Sequence, residues 1–451
     1  MAWIEVALVG VGWVGVWMAS EPRMRAARYS YCAIAAVTLM KQVADIGVHW
    51  QVAPAYLALG LALLVMWAPL MPWVKTAAGG LATVAGGATL MLLWVVPLFA
   101  LPAPTGGFAV GTTGPLHWVD ASRNLRGEAG GGGRRRELEV QVWYPATTAK
   151  YGKKATYARA RELSPAHSYE AVIRTNSALN APIVETAGAF PVLVFGHAWG
   201  GSRTQDTFLA EDLASHGYVV VAMDHPLNAA RVEMADGAVV RTDRAGTLDR
   251  LEASTAPVVE AAWGREMGIW VADDRFVLDR LFAETGFQGR LDADRVGAFG
   301  HSFGGAVSTA LLGVDKRVKC AVNLDGWTFQ GLDHRTTEPI LEVYTGDEEA
   351  RHAVRGVEDR MDADDQALVD ASLARYGGWR AYVRGTQHGD FTDLTLKSPV
   401  QRITGTGPIA GERARGITRG LVLGFFDRVL KGVGDVPEYP EVRLERFSGE
   451  G

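Results

Sequence analysis

The stretch V-G-A-F-G-H-S-F-G-G-A, Val296 to Ala306, decides how this chain is read. The apolar run Val296–Phe299 leads into Gly300-His301-Ser302-Phe303-Gly304, the pattern G-x-S-x-G. A small-residue, helix-compatible run follows from Gly304 to Leu312. A strand, a sharp turn and a helix, with serine at the turn, is the context a nucleophile elbow requires. Glycines permit the strained backbone that lifts the Ser302 hydroxyl out of the sheet. In a chain with 53 glycines the pentapeptide alone can arise by chance, so its weight depends on partners elsewhere.

Working outward, strands and helices alternate. Phe190–Phe195 and Tyr218–Met223 are continuous apolar runs, as in strands buried on both faces. Thr204–Ser215 between them predicts a helix. Leu138–Tyr144 alternates polar and apolar and ends at Pro145, predicting a partly exposed strand. Asp236-Gly237 marks a hairpin within Val232–Val240. Ala256–Glu284 reads as a helix, Val318–Leu324, Ile340–Tyr344 and Trp379–Val383 as strands, and Arg413–Leu430 as a final amphipathic helix. This order implies a mostly parallel sheet with helices on both faces and a site at the strand carboxyl ends.

The chain has 451 residues, 48% of them hydrophobic, and a mean hydropathy of +0.05, high for a soluble protein. Val52–Val74 and Ala77–Leu101 carry no charge, and each exceeds the roughly 20 apolar residues a membrane span needs. Trp3–Met18 is a shorter candidate containing Glu5. Tyr29–Val48 is interrupted by Lys41, Gln42 and Asp45, and either crosses or lies as an interfacial or re-entrant helix. The span count is therefore three or four. No Lys or Arg precedes Met18, whereas Arg23, Arg25 and Arg28 follow it. That asymmetry opposes a cleaved signal peptide and puts the arginine loop in the cytoplasm. With four spans everything after Leu101 lies outside it. Ala129–Arg136 (A-G-G-G-G-R-R-R) reads as a solvated loop tip in preference to a phosphate contact.

A net charge of −5 offers no footprint for nucleic acid. Cys32 and Cys320 suggest neither a disulfide framework nor a metal site. The glycine-rich stretches lack the lysine of a phosphate loop, so no cofactor is expected.

A serine hydroxyl needs a histidine to take its proton and a carboxylate to orient that histidine. In this architecture they follow the serine as acid, then histidine. Three histidines follow Ser302: His334 and His352 in charged surroundings, and His388 in G-T-Q-H-G-D-F beyond the strand Trp379–Val383. His388 is the expected base. Two aspartates end adjacent strands. Strand order favours Asp347, but Glu348 and Glu349 follow it and it looks solvated. Asp325 has Trp327 and Phe329 to exclude water and strengthen its hold on an imidazolium. The oxyanion needs backbone amides. One is expected from Phe303, the other from Gly196-His197-Ala198-Trp199-Gly200-Gly201, with Trp199 the leading candidate.

The stretches P-V-L-V-F-G-H-A-W-G-G-S-R-T, D-L-A-S-H-G-Y-V-V-V-A-M-D-H-P, G-H-S-F-G-G-A, L-D-G-W-T-F and H-G-D-F-T-D resemble the platelet-activating-factor acetylhydrolase family of the secreted, lipoprotein-associated type and its membrane-anchored bacterial relatives. The resemblance runs from about residue 105 to 430, in the family's order. It implies an α/β-hydrolase fold, no metal, and a triad falling on Ser302, Asp325 and His388, with oxyanion amides on Trp199 and Phe303. It thereby selects Asp325 over Asp347. One departure is H-A-W-G where the family often has H-G-x-G. Ala198 restricts the backbone and Trp199 adds bulk over the pocket, leaving acyl size open.

The expectation is a multi-pass transmembrane region over residues 1–102 and an extracytoplasmic α/β-hydrolase domain over 103–451. The domain would be a serine esterase acting on short-chain or lipid-like acyl esters through an acyl-enzyme. The alternatives are an amidase or peptidase with the same triad, and a membrane sensor using the fold as scaffold. The expected partners are the ester and the bilayer; nothing in the sequence sets an oligomeric state.

Overall fold

Apolar, β-branched runs that cannot expose either face pair with one another, and six of them form the parallel centre of the large sheet. In the computed structural model these are β6 (Phe190–Gly196), β7 (Val219–Asp224), β10 (Leu291–His301), β11 (Val318–Leu324), β12 (Ile340–Thr345) and β13 (Gly378–Val383). The structure describes residues 3–24, 26–129, 133–147, 152–186, 188–243, 256–328, 338–346 and 357–449. The flanking strands are β1 (Ala109–Thr112), β2 (Leu116–Asn124), β3 (Arg135–Ala146), β4 (Lys154–Thr156), β5 (Arg174–Leu179) and β14 (Val442–Phe447). The sheet order is β14-β13-β12-β11-β10-β6-β7-β3-β1-β5-β4, with β2 against β3. β3 and β14 join antiparallel to the parallel centre. β8 (Arg231–Glu233) and β9 (Val239–Arg241) form the hairpin that Asp236-Gly237 predicted, with Gly237 at φ +80.

The order contains one reversal. The chain leaves β6, returns as β7 on one side, and later enters β10 on the other side of β6. In open α/β sheets a crevice opens at the carboxyl ends where the order reverses. Here those ends are Gly196 and His301, so topology alone directs attention to the loops that follow them.

The described residues divide into two compact units. One holds 101–155, 175–395 and 405–451, and contains the sheet with α5 (Thr207–Ser215), α6 (Ala256–Ala283), α7 (Phe303–Val314), α8 (Val357–Tyr376) and α9 (Gly411–Phe426). The other holds 1–100 with 156–174 and 396–404. Its helices are α1 (Trp3–Ser20), α2 (Ala27–Asp45), α3 (Ala53–Trp67) and α4 (Pro72–Val95). The two added segments are tied in by Trp50 Nε1 to Ala166 O at 2.9 Å and Ser398 Oγ to Val95 O at 2.5 Å. Two stretches, Trp50–Trp67 and Pro72–Val95, are long and apolar enough to cross a membrane.

Two expectations need correction. The alternating strand is not partly exposed: β3 is buried at every position after Arg135. Nor is the arginine run simply a solvated tip. Arg136 is 1% exposed and grips Asp273 with Nε at 2.7 Å and Nη2 at 2.6 Å. A charge can be buried when a fork-shaped partner satisfies it, and Asp273 lies 137 positions away along the chain.

Candidate active site

Ser302 occupies the turn between β10 and α7 with φ 56 and ψ −125. This is a strained backbone for a non-glycine residue, as elbows require. Its amide donates to Leu324 O at 2.9 Å, which ties the elbow to the end of β11. The turn is tight enough that a Cβ on Gly304 would sit 2.1 Å from Gly196 O. The neighbouring turn after β11 is built by Asn323, whose side chain accepts from Gly326 N at 3.0 Å and donates to Gly326 O at 2.8 Å. That turn holds Asp325 at φ 56. A Cβ on Gly326 would meet Ser302 O at 2.0 Å, so the two turns lie backbone against backbone.

The expected base and acid are in contact. His388 Nδ1 and Asp325 Oδ2 are 2.7 Å apart, with the His388 side chain 52% exposed and that of Asp325 9%. The other oxygen, Asp325 Oδ1, accepts from Thr345 N at 3.0 Å and Thr345 Oγ1 at 3.1 Å. The carboxylate is thus aimed, with one oxygen anchored and one left for the imidazole. Asp347, Phe329, His334 and His352 lie outside the described residues.

The loop bearing His388 is pinned at both ends by carboxylates that the sequence reading passed over. Asp390 accepts from Gln387 N at 2.8 Å and Gly407 N at 2.5 Å. Asp393 reaches the start of α5 and accepts from Thr207 N at 2.9 Å and Phe208 N at 3.3 Å. Those are orphan helix donors, which a carboxylate satisfies well. The residue placed to cap this helix, Asp206, makes no capping bond. Burial, then the charge of Asp393, pushes its carboxyl well above the usual range. H-G-D-F-T-D displayed both loop aspartates, but no local spacing reveals donors that distant.

The loop after β6 carries Trp199. The amides on either side are engaged: Ala198 N donates to Gln205 Oε1 at 3.0 Å, and Gly200 N to Asn228 O at 2.9 Å. The Trp199 amide has no hydrogen-bond partner among the described residues. Phe303 opens α7, where helix amides and the dipole favour negative charge. The two rings lie 5.5 Å apart, and Trp263 packs on both at 5.1 and 5.0 Å. Trp270, also against Phe303, stacks on His225 at 3.7 Å. His225 in turn meets Asp273 at 2.8 Å. Burial lowers the His225 pKa to about 3, so the ring is neutral. Burial would raise the Asp273 carboxyl, but Arg136, with help from His225, holds it below the usual range. A rigid ionic cluster therefore underlies the aromatic wall.

Comparison with known proteins bears on this arrangement. The family model described as platelet-activating factor acetylhydrolase, isoform II, matches residues 135–239 and 271–430. A platelet-activating factor acetylhydrolase from Cavia porcellus is 24% identical over 272 residues, covering 56% of this chain and 60% of that protein. One from Bos taurus is 30% identical over 188 residues, covering 37% and 42%. The chain thus matches about half the length of these curated relatives. Among solved structures, a ferulic acid esterase from Streptomyces cinnamoneus aligns with TM-score 0.59 and 29% identity, over 77% of this chain and 99% of that one.

Proposed function

The chain belongs to the platelet-activating factor acetylhydrolase isoform II family, and we propose that it is a carboxylic ester hydrolase working through an acyl-enzyme on Ser302. The observation that carries this reading is the 2.7 Å Asp325–His388 pair beside a strained serine turn, at the reversal point of the sheet. In the proposed reaction Ser302 Oγ attacks the acyl carbon and its proton passes to His388 Nε2. Asp325 keeps the ring in the Nδ1–H tautomer and stabilises the imidazolium without taking the proton. The Trp199 and Phe303 amides receive the oxyanion. His388 then protonates the departing alkoxide, and water, deprotonated by the same ring, releases the acid.

Substrates are proposed to be short-chain or lipid-like acyl esters. The Trp199–Trp263–Phe303 wall beside the proposed oxyanion amides supports small acyl groups. Fluorophosphonate labelling followed by an acyl-length series tests both parts: labelling at Ser302 and rates falling with acyl length are expected. Labelling elsewhere overturns the mechanism, and a long-chain optimum overturns the preference for small acyl groups.

We also infer that the N-terminal helices form a multi-pass membrane region with the catalytic unit outside the cytoplasm. Arg23, Arg25 and Arg28 after the first helix support that orientation. A C-terminal reporter active only in the cytoplasm should be silent; a strong signal would reverse the topology.

A further inference from the structure

Three loops converge on the proposed site, and one chain of hydrogen bonds joins them. Ala198 N–H donates to Gln205 Oε1 at 3.0 Å, Gln205 Nε2 donates to His301 Nδ1 at 2.8 Å, and His301 Nε2 meets the carbonyl oxygen of His388 at 2.8 Å. The ends of this chain fix every role within it. A backbone N–H can only donate, so the carboxamide oxygen of Gln205 must face Ala198 and its NH₂ must face His301. A carbonyl can only accept, so the proton on His301 is on Nε2 and Nδ1 is the acceptor. A second proton on the ring would point Nδ1–H at the Gln205 NH₂. Burial agrees: His301 is 2% exposed, and burial, with the neighbouring His388 ring, lowers its pKa to about 3. The two rings lie 4.3 Å apart.

We propose that Gln205 and His301 are positioning residues that hold the Trp199 loop and the His388 loop in register with the elbow, with His301 fixed as its Nε2–H tautomer. The proposal rests on the esterase reading for its kinetic consequence. Ala198 directly precedes the amide assigned to the oxyanion, and His301 directly precedes the nucleophile. The carbonyl His301 holds belongs to the base itself. Losing the chain frees two loops, one carrying the proposed oxyanion amide and the other the proposed base.

The test pairs kinetics with a spectroscopic signature, in the full-length protein in detergent. Gln205→Leu keeps the bulk and removes both bonds. Its kcat is expected to fall about 10- to 100-fold, the scale of an ångström misplacement, with KM within about threefold. His301→Leu should behave alike, while His301→Gln, a neutral donor and acceptor, should recover most of the rate. A wild-type kcat in Gln205→Leu, or a KM rise matching the loss in kcat, overturns the proposal. ¹⁵N-histidine spectra should show His301 as a neutral Nε2–H ring from about pH 5 to about pH 8, where an unperturbed histidine would titrate. A titrating ring or an Nδ1–H tautomer overturns it, even where the leucine variants fail to fold. The spectra are equally readable in Ser302→Ala, so a failure of the esterase reading would be seen separately, as labelling that persists in that variant.

Discussion

Two carboxylate–histidine pairs in this molecule have nearly the same geometry and opposite surroundings. Asp325 and His388 meet at 2.7 Å with the imidazole half exposed. In the helical unit Glu5 and His49 meet at 2.8 Å with both side chains fully buried. His49 also touches Gln51 at 2.9 Å, and Gln51 reaches Val96 O at 3.4 Å. Geometry alone does not make a site. The first pair has one imidazole face open beside a strained serine; the second is sealed and satisfies the interior of a bundle.

The surfaces of the two units differ in the same sense. Among the described residues, exposed large apolar side chains concentrate in the helical unit, where Leu57, Val84, Met91 and Trp94 are 50–69% exposed. Its interior is lined by Ala55, Ala58, Ala62, Ala82 and Ala85. Small residues inside, apolar residues outside and a few buried polar partners suit a bundle packed in lipid. The catalytic unit is the reverse, with its apolar strands inside and its buried arginines Arg136 and Arg203 paired with Asp273 and Asp224.

Substitutions in both units would break or sharpen this contrast. Asp325→Asn should cost about 10⁴ in kcat, because the imidazole is held in the wrong tautomer, with KM and the melting temperature little changed. A loss within tenfold, with Asp347→Asn crippled in its place, would move the acid. Val84→Arg puts a charge mid-helix on the exposed face of α4, at about 2.5–3.5 kcal/mol for insertion. It should deplete the membrane fraction resistant to alkaline extraction. The matched Val119→Arg, at an exposed position of β2, should stay within about 0.5 kcal/mol of the parent; equal effects would erase the contrast. Glu5→Leu removes the partner of a buried ring and should destabilise by about 1–3 kcal/mol with kcat unchanged. A kcat loss without destabilisation would contradict a structural role.

The smallest effect concerns Asp206. Its folded pKa is raised by burial and by Asp393 above the unfolded value of about 3.9. The folded protein keeps this proton while the unfolded chain sheds it, so the stability cost grows as pH rises from about 4 toward the folded pKa. Asp206→Asn should therefore melt higher than the parent, by about 2–4 °C per kcal/mol recovered. The gap should widen as pH rises from about 4 toward the folded pKa; a gap that narrows over that rise contradicts the assignment.

What the sequence made legible is what local pattern encodes. The elbow around Ser302, the doubly buried strands and the uncharged helices are read from neighbours in the chain. Asp325 could not be chosen over Asp347 by strand order, and its support is the fold-dependent contact with His388. β3 departs from the pattern because alternation normally means one wet face, whereas its polar residues find buried partners far along the chain: Glu139 meets Arg203 at 3.2 Å and Gln141 donates to Thr112 Oγ1 at 3.0 Å. Gln205, His301, Asp390 and Asp393 were invisible for the same reason. Each does its work across two loops, and no spacing within one loop records that.

The central claim is acylation of Ser302. The most direct measurement is mass-spectrometric mapping of a fluorophosphonate adduct on the full-length protein, beside its Ser302→Ala variant. One adduct on the peptide containing Gly300-His301-Ser302-Phe303-Gly304, absent from the alanine variant together with ester turnover, is the result predicted. An adduct of equal yield in the alanine variant, or turnover that survives the substitution, would contradict the account.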